Sequence, residues 1–415
     1  MSTEPERREW APRAQQLADE LLQRGELSDA GWHAAVAAVP RHLFLPRVHE
    51  YRGGTWHPVE AGSDGGLDLL YANRALTTAL SDRGTHSVAA ARSTKPGLVA
   101  RMLQELGVRE GHRVLEIGTG GGYATALLAH RIGDDNVFSV DLSAERVRTA
   151  RQRLAATGHH PTLVCGDGAA GLTEHGPYDR IVAHCSVPAV PRAWLDQLAE
   201  GGIMLLDLEV GVGAGSLALL HRRGDRVEGR FLDRWAALPP LRHRANEPAV
   251  AAGLHGGPVR TRGTTAPPEP WWNNRVVWFL AQFTGVPRDV RTGAQLDPAT
   301  NRRRFATMTG ADGSRAVVGA HPTPRGDWAV TESGPTELWA GVERAHELWE
   351  RRGHPGWPRL GVSATRERQW VWLDSPDDPE HWPLRPFPGR RTGTVLRSFT
   401  RCVWRGIRKG QLCRA

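Results

Sequence analysis

The sequence predicts an α/β protein in which a mainly parallel sheet is covered by helices on both faces. Three observations carry this expectation. Short apolar or β-branched runs alternate with helical ones between about residues 95 and 208, a glycine-rich turn follows the first of those runs, and acidic residues recur where the runs end. Strands buried on both faces read as continuous apolar stretches, and their alternation with helices implies βαβ units. Val114–Ile117 is the first predicted strand and Ala124–His130 its helix. Val137–Val140 and Ala144–Ala156 repeat the unit, and Thr162–Val164, Arg180–Ala183 and Ile203–Leu206 supply further strands.

Ahead of this series, Leu17, Leu21 and Leu22 share a helical stripe, and Ser28 is placed to cap a second short helix containing Trp32, Val36 and Val39. Pro40 and Pro46 bracket a turn over Arg41–Leu45, and Gly53, Gly54, Gly62, Gly65 and Gly66 predict a loop-rich lid. Pro96 opens a helix that carries Leu98, Val99, Met102, Leu103 and Leu106 and ends at Gly107. Beyond Leu208 the rhythm breaks, and Pro239, Pro240, Pro258, Pro267, Pro268 and Pro270 predict a boundary and a linker. A second ordered region follows, with Trp271, Trp272, Trp278 and Phe279 clustered. A helix is predicted over 337–352, striped by Leu338, Val342, Ala345 and Trp349, and a strand over Trp370–Leu373. These tryptophans are expected mainly in the core. The predicted organisation is 1–92, N-terminal helices and lid; 93–210, the α/β core; 211–270, extension and linker; 271–384, an added Trp-rich α+β region for peptide recognition; and 385–415, a basic tail.

Composition narrows the function classes. The 415 residues are 40% hydrophobic and 24% charged, enough for a packed interior and more than one domain. Neither a secretory signal nor a membrane-length apolar run is visible, so a cytoplasmic protein is expected. Cys165, Cys185, Cys402 and Cys413 form no C-x-x-C pair, and His346-Glu347 lacks the second histidine of a metalloprotease helix, so no metal is assigned. The net charge of +8 resides in the tail, where 385–415 hold nine Arg or Lys and no acid, leaving 44 basic against 45 acidic residues elsewhere. A nucleic-acid partner is therefore not expected, and the tail is read as solvated and disordered.

The chemistry concentrates at Glu116-Ile-Gly-Thr-Gly-Gly-Gly-Tyr123. Glycines at 118 and 120 allow a sharp turn and close approach to a ligand. Alone, this turn fits a methyl donor, a dinucleotide or a tight loop equally well. Asp141, followed by Leu142, ends the next strand roughly 20 residues on, where a carboxylate can accept ribose hydroxyls. Cys165-Gly-Asp-Gly168 then places Asp167 near an adenine amino group, with Gly168 keeping the rim open. Glu116 adds a carboxylate suited to the cationic amino-acid part of S-adenosylmethionine. The expected cofactor-binding set is Glu116, Gly118, Thr119, Gly120, Gly122, Tyr123, Asp141, Leu142, Asp167 and Gly168.

In order, Val39-Pro-Arg-His-Leu-Phe-Leu-Pro46, Val114–Tyr123, Gly166-Asp-Gly168, Pro177-Tyr-Asp-Arg180, Val187-Pro-Ala-Val-Pro191 and Leu195-Asp-Gln-Leu-Ala-Glu-Gly-Gly202 resemble the protein-L-isoaspartate O-methyltransferases. The likeness spans about residues 30–210 and implies a Rossmann-like class I S-adenosylmethionine-dependent methyltransferase core. To about Leu384 the chain also resembles the methyltransferase of ATP-grasp peptide maturase systems, on Thr94-Lys-Pro-Gly-Leu-Val-Ala-Arg-Met-Leu103, Trp370-Val-Trp-Leu-Asp-Ser-Pro376 and Trp382-Pro-Leu384. The first resemblance implies a Ser-x-Pro hydroxyl that holds the substrate carboxylate. Thr94-Lys95-Pro96 stands there, so Thr94, with Ser93 beside it, is the catalytic candidate; the alternative for Thr94 is a helix cap. Threonine keeps the donor but narrows the pocket. The second resemblance implies methylation of an aspartate in a ribosomally made precursor peptide cross-linked by an ATP-grasp ligase, the ester closing to aspartimide, with that peptide and ligase as partners. Repair of isoaspartate in damaged proteins, a non-catalytic binding protein and RNA methylation are the alternatives. A carboxylate is ionised at neutral pH, so none of the carboxyl readings needs a general base.

Overall fold

The structure is a computed structural model that describes residues 4–82, 84, 87–243 and 259–385. The expected basic tail from 386 onward lies outside the described residues. Helix α1 (Glu4–Gln23) is longer than the sequence suggested, because its buried stripe begins at Trp10 and runs through Ala14, Leu17, Ala18 and Leu21. Helix α2 (Ala30–Ala38) is capped by Asp29, whose carboxylate accepts the Trp32 N–H at 2.9 Å. Ser28 is not the cap; its N–H donates to Gln104 Oε1 instead.

The turn expected after Pro40 is a short helix, α3 (Arg41–Phe44), and the expected lid is a small sheet. Strands β1 (Arg47–Arg52) and β2 (Thr55–Glu60) form a hairpin, followed by α4 (Gly66–Tyr71), β3 (Thr77–Asp82) and β4 (Ser87–Arg92), in the antiparallel order β2-β1-β3-β4. Arg52 pairs with Thr55, so Gly53 and Gly54 are a two-residue loop, both at positive φ. That is the geometry a tight hairpin requires. Counting glycines as irregular chain hid it.

The α/β series is close to expectation: α5 (Pro96–Glu105), β5 (Val114–Ile117), α6 (Tyr123–Ile132), β6 (Val137–Asp141), α7 (Ala144–Ala156), β7 (Thr162–Cys165), β8 (Tyr178–Val187), α8 (Arg192–Gln197) and β9 (Leu198–Gly211). The strands β7-β6-β5-β8-β9 pair in parallel. The sheet then continues across the break placed at Leu208. Strands β10 (Ala214–Arg223) and β11 (Arg226–Phe231) stand where extension and linker were expected, and both are antiparallel. Arg223 pairs with Arg226 around Gly224 and Asp225, another two-residue turn.

Beyond residue 258 come β12 (Val259–Thr264), α9 (Pro270–Asn273), α10 (Arg275–Thr284), β13 (Arg291–Leu296), β14 (Arg303–Thr309), β15 (Arg315–Gly319), β16 (Trp328–Ser333) and α11 (Leu338–Arg351). The five strands form their own antiparallel sheet in the order β12-β16-β15-β14-β13. The last strands, β17 (Leu360–Ala364), β18 (Gln369–Leu373) and β19 (His381–Pro383), return to the main sheet. Its full order is β19-β18-β17-β11-β10-β9-β8-β5-β6-β7, so half of it is antiparallel rather than mainly parallel.

Period-two alternation sorts this sheet's side chains into two cores. Val114, Val137, Val182, Leu205 and Leu217 pack with α1, α2, α5 and α6. Leu115, Ile117, Phe138, Ile181 and Leu206 pack into a core that also contains Trp278 of α10, Trp339 of α11 and Val371 of β18. Most of the C-terminal tryptophans named above are buried, as expected, whereas Trp272 is 59% exposed. At the junction of the two parts, Gly361 pairs with Arg230 and Trp372, and a Cβ there would lie 2.2 Å from the Trp372 ring. Gly361→Ala is expected to lower stability by about 1–3 kcal/mol through overpacking, read as a lower Tm by differential scanning calorimetry.

Candidate active site

Four neighbouring strands, β7, β6, β5 and β8, bring polar residues to their carboxyl ends, the edge at which such sheets bind ligands. The turn from β5 into α6 uses Gly118, Gly120 and Gly122 at φ of 96°, 54° and 92°. A Cβ on Gly120 would meet nothing within 4 Å, so backbone conformation rather than crowding calls for glycine there. The Gly118 N–H donates to Val140 O and the Gly122 N–H to Thr119 O, which closes the turn.

Asp141 braces this turn from β6. One carboxylate oxygen accepts the Gly120 N–H and the other the Ser143 N–H, both at 3.0 Å. A carboxylate has about four lone-pair sites, so each oxygen keeps capacity for a further donor. Glu116 lies beneath the turn with no solvent exposure. Its Oε2 accepts hydroxyl protons from Thr125 at 2.5 Å and Ser139 at 2.6 Å. Because the Ser139 proton is given to Glu116, the Thr119 hydroxyl 2.6 Å away donates to Ser139. The Thr119 side chain therefore faces the interior. Glu116 Oε1 is 3.2 Å from His184 Nε2, yet both atoms lack a hydrogen-bond partner among the described residues.

Asp167 follows β7 and caps a short turn by accepting the Ala169 N–H; its other oxygen is 3.1 Å from His243 Nδ1. At Gly168 space does demand glycine, since a Cβ would come 2.7 Å from Ile117 Cγ2. The Gly168 carbonyl accepts the Trp194 indole N–H. Leu142 is half-buried, and its carbonyl faces the Cys165 thiol at 3.6 Å. Tyr123 leaves the turn in another direction. Its ring packs against Phe44, with the Arg41 guanidinium 5.8 Å from the ring centroid. Burial pushes the Tyr123 hydroxyl up to about 12 and the Arg41 guanidinium down to about 10. Arg41 is 1% exposed, and none of its nitrogens has a hydrogen-bond partner among the described residues.

Ser93 and Thr94 are placed by the end of β4 and the start of α5. Ser93 exchanges two hydrogen bonds with Leu76, its N–H donating to Leu76 O and its Oγ accepting the Leu76 N–H. The Thr94 side chain makes no hydrogen bond to a described residue and does not cap α5, whose N-cap is Lys95. The Lys95 ammonium lies 3.1 Å from the buried Glu26 carboxylate, which Arg101 and Arg234 also approach.

Sequence reasoning missed the strap formed by residues 235–243, which was read as linker. The Trp235 carbonyl accepts from Arg101 of α5, the Leu238 N–H donates to Asp207, Pro239 O accepts the Ser186 N–H, and the Leu241 N–H donates to Ser186 O. Leu238 and Leu241 flanking Pro239-Pro240 were the available signal. His184 was also missed, although a polar residue within the apolar run Ile181-Val-Ala-His-Cys185 marks it. Burial raises the Asp207 carboxyl to about 7, opposed by the Leu238 N–H and reinforced by Glu209, and raises the Cys185 thiol to about 12. That thiol is no nucleophile at neutral pH. The folded Asp207 binds its proton more tightly than an unfolded aspartate, so it subtracts from stability as pH rises from about 4 to about 7. Asp207→Asn is expected to raise Tm at pH 8, with the two melting curves converging near pH 4.

Among the described residues no group of three His, Cys, Asp or Glu side chains could hold a metal ion. Likewise no helix is long and apolar enough to cross a membrane. The family model for protein-L-isoaspartate(D-aspartate) O-methyltransferase matches residues 12–233. A protein-L-isoaspartate O-methyltransferase of Methylorubrum populi is 34% identical over 232 residues, 56% of this chain and 96% of that protein. One from Aeropyrum pernix is 33% identical over 221 residues, 52% and 74% of the respective chains. A solved structure of a Plasmodium falciparum protein of this name, in complex with S-adenosyl-L-homocysteine, aligns with 56% of this chain and 99% of its own at a TM-score of 0.43 and 16% identity.

The strand order and glycine turn define a Rossmann-like methyltransferase core, and the family match makes it an S-adenosylmethionine-dependent protein carboxyl O-methyltransferase. The chain belongs to the protein-L-isoaspartate O-methyltransferase family. The residues present suit the cofactor: Glu116 Oε1 is a buried acceptor without a hydrogen bond, Gly120 opens onto free space, and Asp141 and Asp167 stand at adjacent strand ends. Asp141→Ala removes a charge-assisted acceptor, and isothermal titration calorimetry is expected to show S-adenosylmethionine binding weakened about tenfold or more.

Proposed function

We propose that this methyltransferase esterifies the free carboxylate of an L-isoaspartyl residue in a protein or peptide. The observation that carries the reading is the pairing of a family-matched cofactor edge with Thr94, whose hydroxyl meets no described residue and stands two residues before the first turn of α5. S-adenosylmethionine, held by Asp141, Asp167 and the glycine turn, supplies an electrophilic methyl group when bound. The protein's task is then positioning. An isoaspartyl carboxylate is ionised at neutral pH, so no residue need remove a proton. Thr94 donates a hydrogen bond to one carboxylate oxygen and so orients the other. Ser93, bonded at both its N–H and its hydroxyl to Leu76, keeps that end of the chain in place and acts as a positioning residue. Alignment of two reactants in a water-poor site can lower a barrier by about 7–11 kcal/mol in favourable cases, which leaves no need for a covalent intermediate.

A second reading has its own support. The family match ends at 233, and the added region sets the exposed Trp272 beside Arg275, whose guanidinium lies 3.5 Å from the Trp235 ring centroid and 5.5 Å from that of Trp272. Exposed aromatic and arginine side chains are what peptide docking uses. On this reading the acceptor is an aspartate of a ribosomally made precursor peptide modified by an ATP-grasp ligase, and the ester closes to aspartimide. The two readings are separated by assaying one preparation on an isoaspartyl hexapeptide and on a co-expressed precursor, following methyl gain or water loss by mass spectrometry. Turnover of the hexapeptide is the expected outcome, and its absence beside precursor turnover would replace the first reading with the second. Thr94→Val keeps the shape and deletes the donor. It is expected to lower kcat/KM for the peptide about tenfold or more, the loss of one hydrogen bond to a charged group, while calorimetry finds cofactor affinity unchanged.

A further inference from the structure

The charge beside Thr94 is lopsided. Lys95 follows it in the chain, with its ammonium 3.1 Å from one oxygen of the Glu26 carboxylate; Arg234 approaches the same oxygen to 3.2 Å and Arg101 the other to 3.5 Å. Three cations share that carboxylate, and Glu105 is the further acid that acts on Arg101. The cluster therefore keeps a net positive charge. The Glu26 side chain is 6% exposed, while those of Lys95 and Arg234 keep 38% and 48% of their surface open. With the acid inside and two cations outside, a ligand meets the positive side. Lys95 is also the N-cap of α5, whose first N–H groups add partial positive charge at the same end. Arg234 immediately precedes the strap and donates to the Gly25 carbonyl, while Arg101 donates to that of Trp235. Beyond them Arg275, 3.5 Å from the Trp235 ring centroid, carries positive charge on into the added region.

We propose that Lys95, Arg101 and Arg234 form a subsite for a second carboxylate of the methyl acceptor, carried by an acidic residue beside the one methylated, so that the enzyme prefers acidic peptides. The inference rests on the carboxyl-methylation reading above and names the substrate class that reading favours. Methyl transfer turns the acceptor carboxylate into a neutral ester, so a cation set on that carboxylate would hold the ground state more firmly than the transition state. Thr94, a neutral donor, avoids this penalty. A neighbouring carboxylate keeps its charge throughout the reaction. Pairing it with cations one residue along therefore strengthens ground state and transition state alike, which lowers KM and leaves kcat as it was. The net positive charge also steers an anionic peptide toward the site.

The test varies the peptide before it varies the protein. Three isoaspartyl hexapeptides, identical except that the residues flanking the acceptor are Gln, Glu or Lys, are assayed with the full chain by release of S-adenosylhomocysteine. The Glu peptide is expected to show a KM about fivefold below that of the Gln peptide at the same kcat, the worth of one partly exposed ion pair, and the Lys peptide a KM above both. Raising the ionic strength from about 0.01 M to about 1 M shortens the screening length from about 30 Å to about 3 Å and is expected to bring the three values together. In the double variant Lys95→Gln, Arg234→Gln the Glu and Gln peptides are expected to share one KM, and in Lys95→Arg, Arg234→Lys the preference is expected to return. Equal KM for all three peptides, or the lowest KM for the Lys peptide, overturns the subsite while turnover of the Gln peptide upholds carboxyl methylation. A preference for Glu that persists in the double glutamine variant, or that the conservative pair fails to restore, lies elsewhere on the chain and overturns it as well. If none of the three peptides is methylated, the subsite and the isoaspartyl reading fall together.

Discussion

A carboxylate with no exposure to water sits at the pivot between the first parallel strand and its helix. Taking such a group out of solvent costs several kcal/mol unless hydrogen bonds replace its hydration. For Glu116 the replacements come from two other elements, Thr125 on α6 and Ser139 on β6. Two strands and a helix must be in register before Oε2 receives both donors, and Oε1 is left without one. The glycine turn then has one point of departure, and Asp141 holds its far side through the Gly120 N–H. One acid clamps the turn from below and another from the rim. The cofactor edge is thus a product of packing as much as of loop sequence.

The same packing explains why the added region is part of the enzyme rather than an appendage. The sheet has two faces, and the helices before and within the α/β series cover one of them. The other shares a core with α10, α11 and the second sheet. Strap 235–243 crosses from α5 to Asp167 over the carboxyl ends of the strands, and its hydrogen bonds to Asp207 and Ser186 hold it against the site.

The α/β series was legible in the sequence because its strands are short, apolar and buried on both faces; Val114–Ile117 and Ala144–Ala156 match residue for residue. The acids were legible because such sheets bind ligands at one edge. Among the antiparallel strands β18 was legible, and most of the others were not. The strands β1, β2 and β11 mix charged residues with partly buried ones, and the tight turns Gly53-Gly54 and Gly224-Asp225 resemble loops when counted without register; β10 is mostly buried, and the prolines that follow it drew the stretch into the linker. Asp29 displaced Ser28 as a cap because Gln104, far along the chain, takes the Ser28 and Asp29 N–H groups. His184 and Arg41 escaped notice for the same reason: their significance lies in neighbours distant in sequence, Glu116 and Tyr123.

Arg230 of β11 lies directly beside Gly361 of β17, although some 130 residues separate them in the chain. The intervening segment leaves the sheet and re-enters one strand away, so topologically it is a nested insertion whose two ends meet. Such an arrangement could be excised on paper by a short turn. Chemically it could not, because Trp278, Phe279 and Trp339 lie in the layer that keeps water off that side of the sheet. A chain without the insertion would leave that face of the sheet wet unless some other element covered it.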